Sequence, residues 1–132
     1  MTRMLERLYL IAGIAVATGL AVVSAWYEAG WCSLYVFSVR CPLSLVLALV
    51  GNASIVWFAT FTTGRRGSGV IPAIAWCLVW FIGTNQTREG DLIVLSDNWV
   101  GVATTILGPL AFAVALYRVV MARSGPLPSV SA

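Results

Sequence analysis

The sequence predicts an all-α membrane protein: a bundle of four transmembrane helices with both termini on the cytoplasmic side. Three observations predict it. Of 132 residues, 60% are hydrophobic and only 10% are charged, with a mean hydropathy of +0.92. A soluble domain carries about 25% charged residues, and so few charges cannot cover a globule of this size. The apolar residues come in long blocks, which suit lipid better than a small core. The eight arginines lie at the ends of those blocks.

The first block runs from about 8 to 25, after Arg3 and Arg7, and Trp26 and Tyr27 close it as an interfacial aromatic pair. A spanning helix needs about 20 apolar residues, and this block meets that need. It has a second reading. A basic start, an apolar run and Val23-Ser24-Ala25 together resemble a secretory signal with a small-residue cleavage site.

The second block runs from about 42 to 62. Pro42 suits a first helical turn, where its missing N–H costs nothing. The block ends in the basic turn Gly64-Arg65-Arg66-Gly67-Ser68-Gly69. The third, from about 70 to 84, is short, strongly aromatic, and expected to recruit part of that turn. The fourth runs from about 99 to 120. Ser96-Asp97-Asn98 precedes it as a cap, and Gly108-Pro109 predicts a kink, since proline removes a backbone hydrogen bond. Residues 1–123 thus form one membrane domain. The Pro- and Ser-rich tail, 124–132, is expected to be disordered.

Orientation follows from arginine placement. The N-terminus, the 64–69 turn and the C-terminus hold Arg3, Arg7, Arg65, Arg66, Arg118 and Arg123, against Arg40 and Arg88 on the other side. Positive charge stays on the cytoplasmic side, so both termini are expected there, in the plasma membrane. A cleaved first segment would leave three spans with the later loops unchanged in orientation.

No charged residue falls inside an expected span. Glu6 lies before the first and Glu28 after it. Ion-coupled carriers place ionisable groups in the membrane interior, so the sequence argues against one. The absence of histidine excludes histidine-ligated haem. The dispersed arginines form no nucleic-acid patch. Neither a nucleotide loop nor a metal cluster is present, and no cofactor is expected. Glu89, Asp91 and Asp97 read as a solvated loop rather than a cation site.

Cys32 and Cys41 fall on the side where disulfides persist. They could close a structural disulfide, remain free thiols, or form a redox pair. Most redox pairs use Cys-x-x-Cys, so the wider spacing favours a structural disulfide or two unpaired thiols over a redox pair. Cys77 reads as a small apolar filler.

Asn52 sits mid-span beside Gly51. A buried amide joins helices at about 0.6–2 kcal/mol. Small residues recur every four positions: Gly13, Ala17, Ala21 and Ala25 in the first helix, and Gly101, Thr105, Pro109 and Ala113 in the fourth. Such faces pack closely, within the chain or against another subunit.

The turn Arg65-Arg66-Gly67-Ser68-Gly69, the helix with Pro72 and Trp76, the stretch Arg88-Glu89-Gly90-Asp91-Leu92-Ile93-Val94, and Asn98-Trp99-Val100-Gly101 leading to Gly108-Pro109 resemble a family of small actinobacterial four-helix membrane proteins. The resemblance covers roughly the C-terminal half. The family has no assigned function, so the resemblance implies a fold and no site.

Three functions are expected, in this order. The first is a non-catalytic accessory or assembly subunit that packs in the bilayer against a protein partner or its own copies. The second is a small homo-oligomeric transporter or channel for a neutral or lipid-like solute, with Asn52, Ser54, Thr104 and Thr105 lining the path. The third is a thiol-redox protein using Cys32 and Cys41.

Overall fold

A computed structural model of the chain describes residues 1–84 and 97–122. The elements are α1 (Thr2–Trp31), a hairpin of β1 (Tyr35–Val36) and β2 (Val39–Arg40), α2 (Leu43–Thr63), α3 (Val70–Thr84) and α4 (Trp99–Met121). α1, α2 and α4 are long and apolar enough to cross a membrane by length and composition, while α3 is apolar but shorter.

α1 exceeds its expected bounds at both ends. At 30 residues it is about 45 Å long. Arg3, Glu6 and Arg7 form its exposed first turns, and it continues past Trp26 and Tyr27 to Trp31. The aromatic pair that marked an expected helix end is simply its outward face: both residues are exposed, while Ala25, Glu28 and Ala29 beside them are buried.

The loop after α1 contains a two-residue turn. Tyr35 pairs with Arg40 and Val36 with Val39. Phe37 and Ser38 at its tip have φ of +50° and +66°, the twist that joins two right-twisted strands closely. Phe37 is 97% exposed.

α2 starts after Pro42 and ends at Gly64, whose φ of +65° is the left-handed cap that glycine accepts without strain. The turn then folds back into the bundle. A Cβ on Gly69 would lie 3.1 Å from Leu116 Cδ2 and 3.2 Å from Val56 Cγ1. α3 therefore begins at the level of Val56, about two turns below the end of α2. That accounts for its 15 residues, and it begins at Val70 without recruiting the turn. α4 continues as a helix through Pro109. Asn98 accepts from the Gly101 amide at 3.2 Å and caps α4.

α1 packs along both α2 and α3, and α2 also packs along α4, whereas the α3 and α4 backbones approach less closely. The seam between α3 and α4 is filled by large side chains: Trp76, Trp80 and Phe112 are all buried. The outer surface is apolar, with Leu20, Trp57, Phe61, Ile106 and Leu110 among many exposed hydrophobic residues. Polar groups such as Asn52, Asn98 and Thr104 are turned inward. Arg88, Glu89, Asp91 and the 124–132 tail lie outside the described residues.

Candidate functional site

The inner face of α1 is a stripe of alanines. Ala17, Ala21, Ala25 and Ala29 are all buried, and their small side chains let neighbouring helices come close. A Cβ on Gly51 of α2 would lie 3.6 Å from Ser24 Oγ and 3.9 Å from Glu28 Oε1, and one on Gly83 of α3 would lie 3.3 Å from Ala29 Cβ. Into this face the sequence inserts one acid. Glu28 is 1% exposed. It lies inside α1, a helix long and apolar enough to cross a membrane, and not beyond its end, which corrects the expectation that no ionisable residue falls within such a helix. The physical reason is helix continuation: one turn on from Ser24, Glu28 stays on the buried side.

Neutral donors surround the carboxylate. Ser24 Oγ donates to Glu28 Oε1, and Trp76 Nε1 donates to Oε2 at 3.0 Å. The Glu28 backbone carbonyl accepts from Ser44 Oγ at 2.8 Å and from the Cys32 amide at 3.0 Å. α1, α2 and α3 are thus joined at one residue. Among the described residues, no cation pairs with Glu28. The ion pair present joins Arg40 and the exposed Asp97 at 3.4 Å. Burying an ionised carboxylate costs several kcal/mol even after relaxation. Hydrogen bonds to a charged group contribute about 1.5–3 kcal/mol each. Two such bonds roughly offset the burial.

Trp76 carries the site across to α4. Its ring stacks on Trp80, with centroids 5.4 Å apart and planes within 4°, and meets Phe112 edge-on at 6.0 Å. The two indole N–H groups serve different helices. Trp76 donates to α1, while Trp80 Nε1 donates to Thr105 Oγ1 of α4 at 2.9 Å. The tip of the Trp76 ring occupies the space above Gly108, where a Cβ would lie 2.3 Å from Cη2. On the other side of α4, Asn52 Nδ2 donates to the Gly108 carbonyl at 3.1 Å. Its Oδ1 is buried without a hydrogen-bond partner.

The hairpin end of the bundle closes over this core. Asn98 Nδ2 donates to the Cys32 carbonyl at 2.9 Å, tying the start of α4 to the end of α1. Cys32 is buried, with Sγ 2.9 Å from the Ala29 carbonyl. Cys32 and Cys41 are both free thiols, so the disulfide expected as one possibility is not formed here. The inward turn of Cys32 beneath the hairpin separates its role from that of the half-buried Cys41.

The other anticipated residues divide between inside and outside. Gly13 packs on α2, where a Cβ would meet Thr62 Oγ1 at 2.8 Å. Together with Ala17, Ala21 and Ala25 it makes an internal seam. In α4 the buried edge is Gly101, Thr104, Gly108 and Phe112. Thr105, Pro109 and Ala113 sit one position around the helix: Thr105 receives the Trp80 bond, and Pro109 and Ala113 line a groove facing α3. Ser54 is exposed and bonds its own helix at Val50 O, 2.7 Å away. Asn52, Ser54, Thr104 and Thr105 therefore do not converge on one path. Among the described residues no three His, Cys, Asp or Glu side chains gather to hold a metal.

Sequence reasoning missed Glu28, Ser24, Ser44 and Trp76 as a group. One signal was available: the four-residue spacing of Ala17, Ala21 and Ala25 continues to Ala29, beyond the aromatic pair taken as the end of the helix. No family model matches the chain, and neither a curated protein nor a solved structure matches it.

Proposed function

We propose that the chain is a multi-pass plasma-membrane protein that acts without catalysis, as an accessory or assembly subunit that receives a transmembrane helix of a partner protein. All four helices span in this reading, with both termini in the cytoplasm. The six-to-two distribution of arginines supports that orientation, and the apolar outer surface supports immersion in lipid. It accords with the resemblance of the C-terminal half to small actinobacterial membrane proteins.

The observation that carries the reading is the groove between α3 and α4. It has a volume of about 520 Å³ and is lined by Ala73, Cys77, Leu78, Pro109, Ala113 and Leu116, among others. It opens sideways along the shortest helix. At 15 residues, α3 measures about 22 Å against a hydrocarbon thickness of about 30 Å. Such mismatch drives association between helices. Small side chains at the groove let a partner backbone approach. Among the described residues Asn52, Ser54, Thr104 and Thr105, by contrast, are divided between the inside and the outside of the bundle and converge on no single path.

Ala113→Trp tests the reading by filling the groove from an exposed position. The expected result is that a partner chain co-purifies with the wild-type protein from native membranes under mild detergent. The variant loses that partner while keeping its helical circular dichroism and melting temperature. A wild-type protein that purifies alone overturns the reading. So does a partner that is retained by the variant, or recovery of nothing but a second, differently tagged copy of this chain.

A further inference from the structure

Glu28 has a use that partner docking does not require. We propose that its carboxyl group, with Ser24 and Trp76, is a proton-binding site whose occupancy controls how firmly α3 is held to α1.

The donor set identifies the ligand as a proton rather than a metal ion. A cation needs several oxygen atoms turned toward it. Here Trp76 Nε1, which can only donate, holds one carboxylate oxygen, Ser24 Oγ holds the other, and Ser44 Oγ is committed to the Glu28 carbonyl. Glu28 is only 1% exposed, so the chain encloses the acid and leaves little room for a hydrated cation. A proton needs no such space.

It also finds a partner without rearrangement. A hydroxyl both donates and accepts, so the Ser24–Glu28 bond can run in either direction. When ionised, the carboxylate accepts from Ser24 and Trp76. When a proton from water forms an O–H bond at Oε1, that O–H donates to Ser24 Oγ, and Trp76 continues to donate to Oε2. The site changes from one negative charge to none. The Trp76 bond changes from charge-assisted to neutral, and neutral hydrogen bonds are roughly half as strong. Because Trp76 also stacks on Trp80 and fills the space at Gly108, the change is felt along the whole α3–α4 seam.

Among the described residues, no other ionisable group shares the site. α2 has no ionisable side chain between Leu43 and Thr63, α3 has only Cys77, and α4 has Tyr117 and Arg118 at its far end. Beyond the end of α1 lie Cys32, Cys41 and the Arg40–Asp97 pair. Glu28 is one turn from that end, so a single layer containing Ser44, Cys32 and Asn98 separates it from the hairpin.

The test uses the full chain in lipid nanodiscs. In a Glu6→Gln, Glu89→Gln background Glu28 is the remaining glutamate, and ¹³C-glutamate labelling marks its carboxyl stretch in infrared difference spectra. A label-sensitive protonated-carboxyl band is expected to disappear and return reversibly as the medium is cycled between mildly acid and mildly alkaline. Motion of α3 is read from the rate at which a membrane-permeant maleimide labels Cys77 in a Cys32→Ser, Cys41→Ser chain. Glu28→Gln in the same chain corrects for the pH dependence of the thiol itself. The ratio of the two rates is expected to follow a one-proton curve and to change by about fivefold or more, the lower range of ordinary coupling between sites. A carboxyl band that stays fixed wherever the helices remain folded overturns the proposal. A band that titrates with a constant labelling ratio overturns the coupling to α3. If Glu28→Gln does not fold, the infrared result on the labelled chain decides the proton site alone.

Discussion

Gly108 and Gly19 show how differently one residue type is used in this chain. At Gly108 the missing side chain is occupied by the Trp76 ring, whose Cη2 lies 2.3 Å from where a Cβ would be. The ring cannot yield, because its N–H is committed to Glu28 and its face to Trp80. Gly108→Ala is therefore expected to destabilise the bundle by about 1–3 kcal/mol, the usual cost of overpacking. A Cβ on Gly19 meets nothing within 4 Å. Gly19→Ala is expected to be neutral or to stabilise by up to about 1 kcal/mol, the helix preference for alanine over glycine. Thermal unfolding of both variants in one detergent checks the contrast, and equal shifts in the two would contradict the placement of Trp76.

At the scale of elements, the hairpin stands out for its turn. Phe37 and Ser38 occupy left-handed conformations that cost about 1–2 kcal/mol each for residues other than glycine, asparagine or aspartate. Phe37→Asn with Ser38→Gly supplies the residues this turn prefers. The pair is expected to slow exchange of the hairpin amides and to leave the helices unchanged, as measured by hydrogen–deuterium exchange. The helices themselves were largely legible in the sequence. α2, α3 and α4 begin and end within one residue of the expected bounds, since Pro42, Gly64, Gly69 and Asn98 punctuate the apolar blocks. α1 outruns its expected bounds because charged first turns and an aromatic pair have the composition of helix ends. Its buried face, visible in alanine spacing, carries the better boundary. The pairing of Glu28 with Trp76 was not legible. They lie 48 residues apart, and only the register between α1 and α3 brings them together.

At the scale of the molecule, the arrangement depends on orientation. In the proposed orientation, with both termini cytoplasmic, a fluorescent protein that matures only there is expected to light when fused after Ala132. An alkaline phosphatase inserted in the hairpin loop at Ser38 is expected to be active, because that enzyme folds only outside. The reverse pattern would invert the sidedness of the Glu28 layer and of the arginine-rich ends. The small-residue stripe of α1, which sequence alone allowed to face either another subunit or its own chain, is an internal seam. The α3–α4 groove is the lateral feature to which we assign the proposed partner.

The bond from Trp76 to Glu28 also sets a schedule for synthesis. α1 emerges with its acid accompanied only by Ser24 one turn before it. At about 5–20 residues per second, the 48 residues that separate it from the indole take roughly two to ten seconds to be made. During that interval the helix carries a half-satisfied polar group at the membrane. Any factor that shelters nascent helices would be needed most in that window, before the tryptophan arrives and the first and third helices lock together.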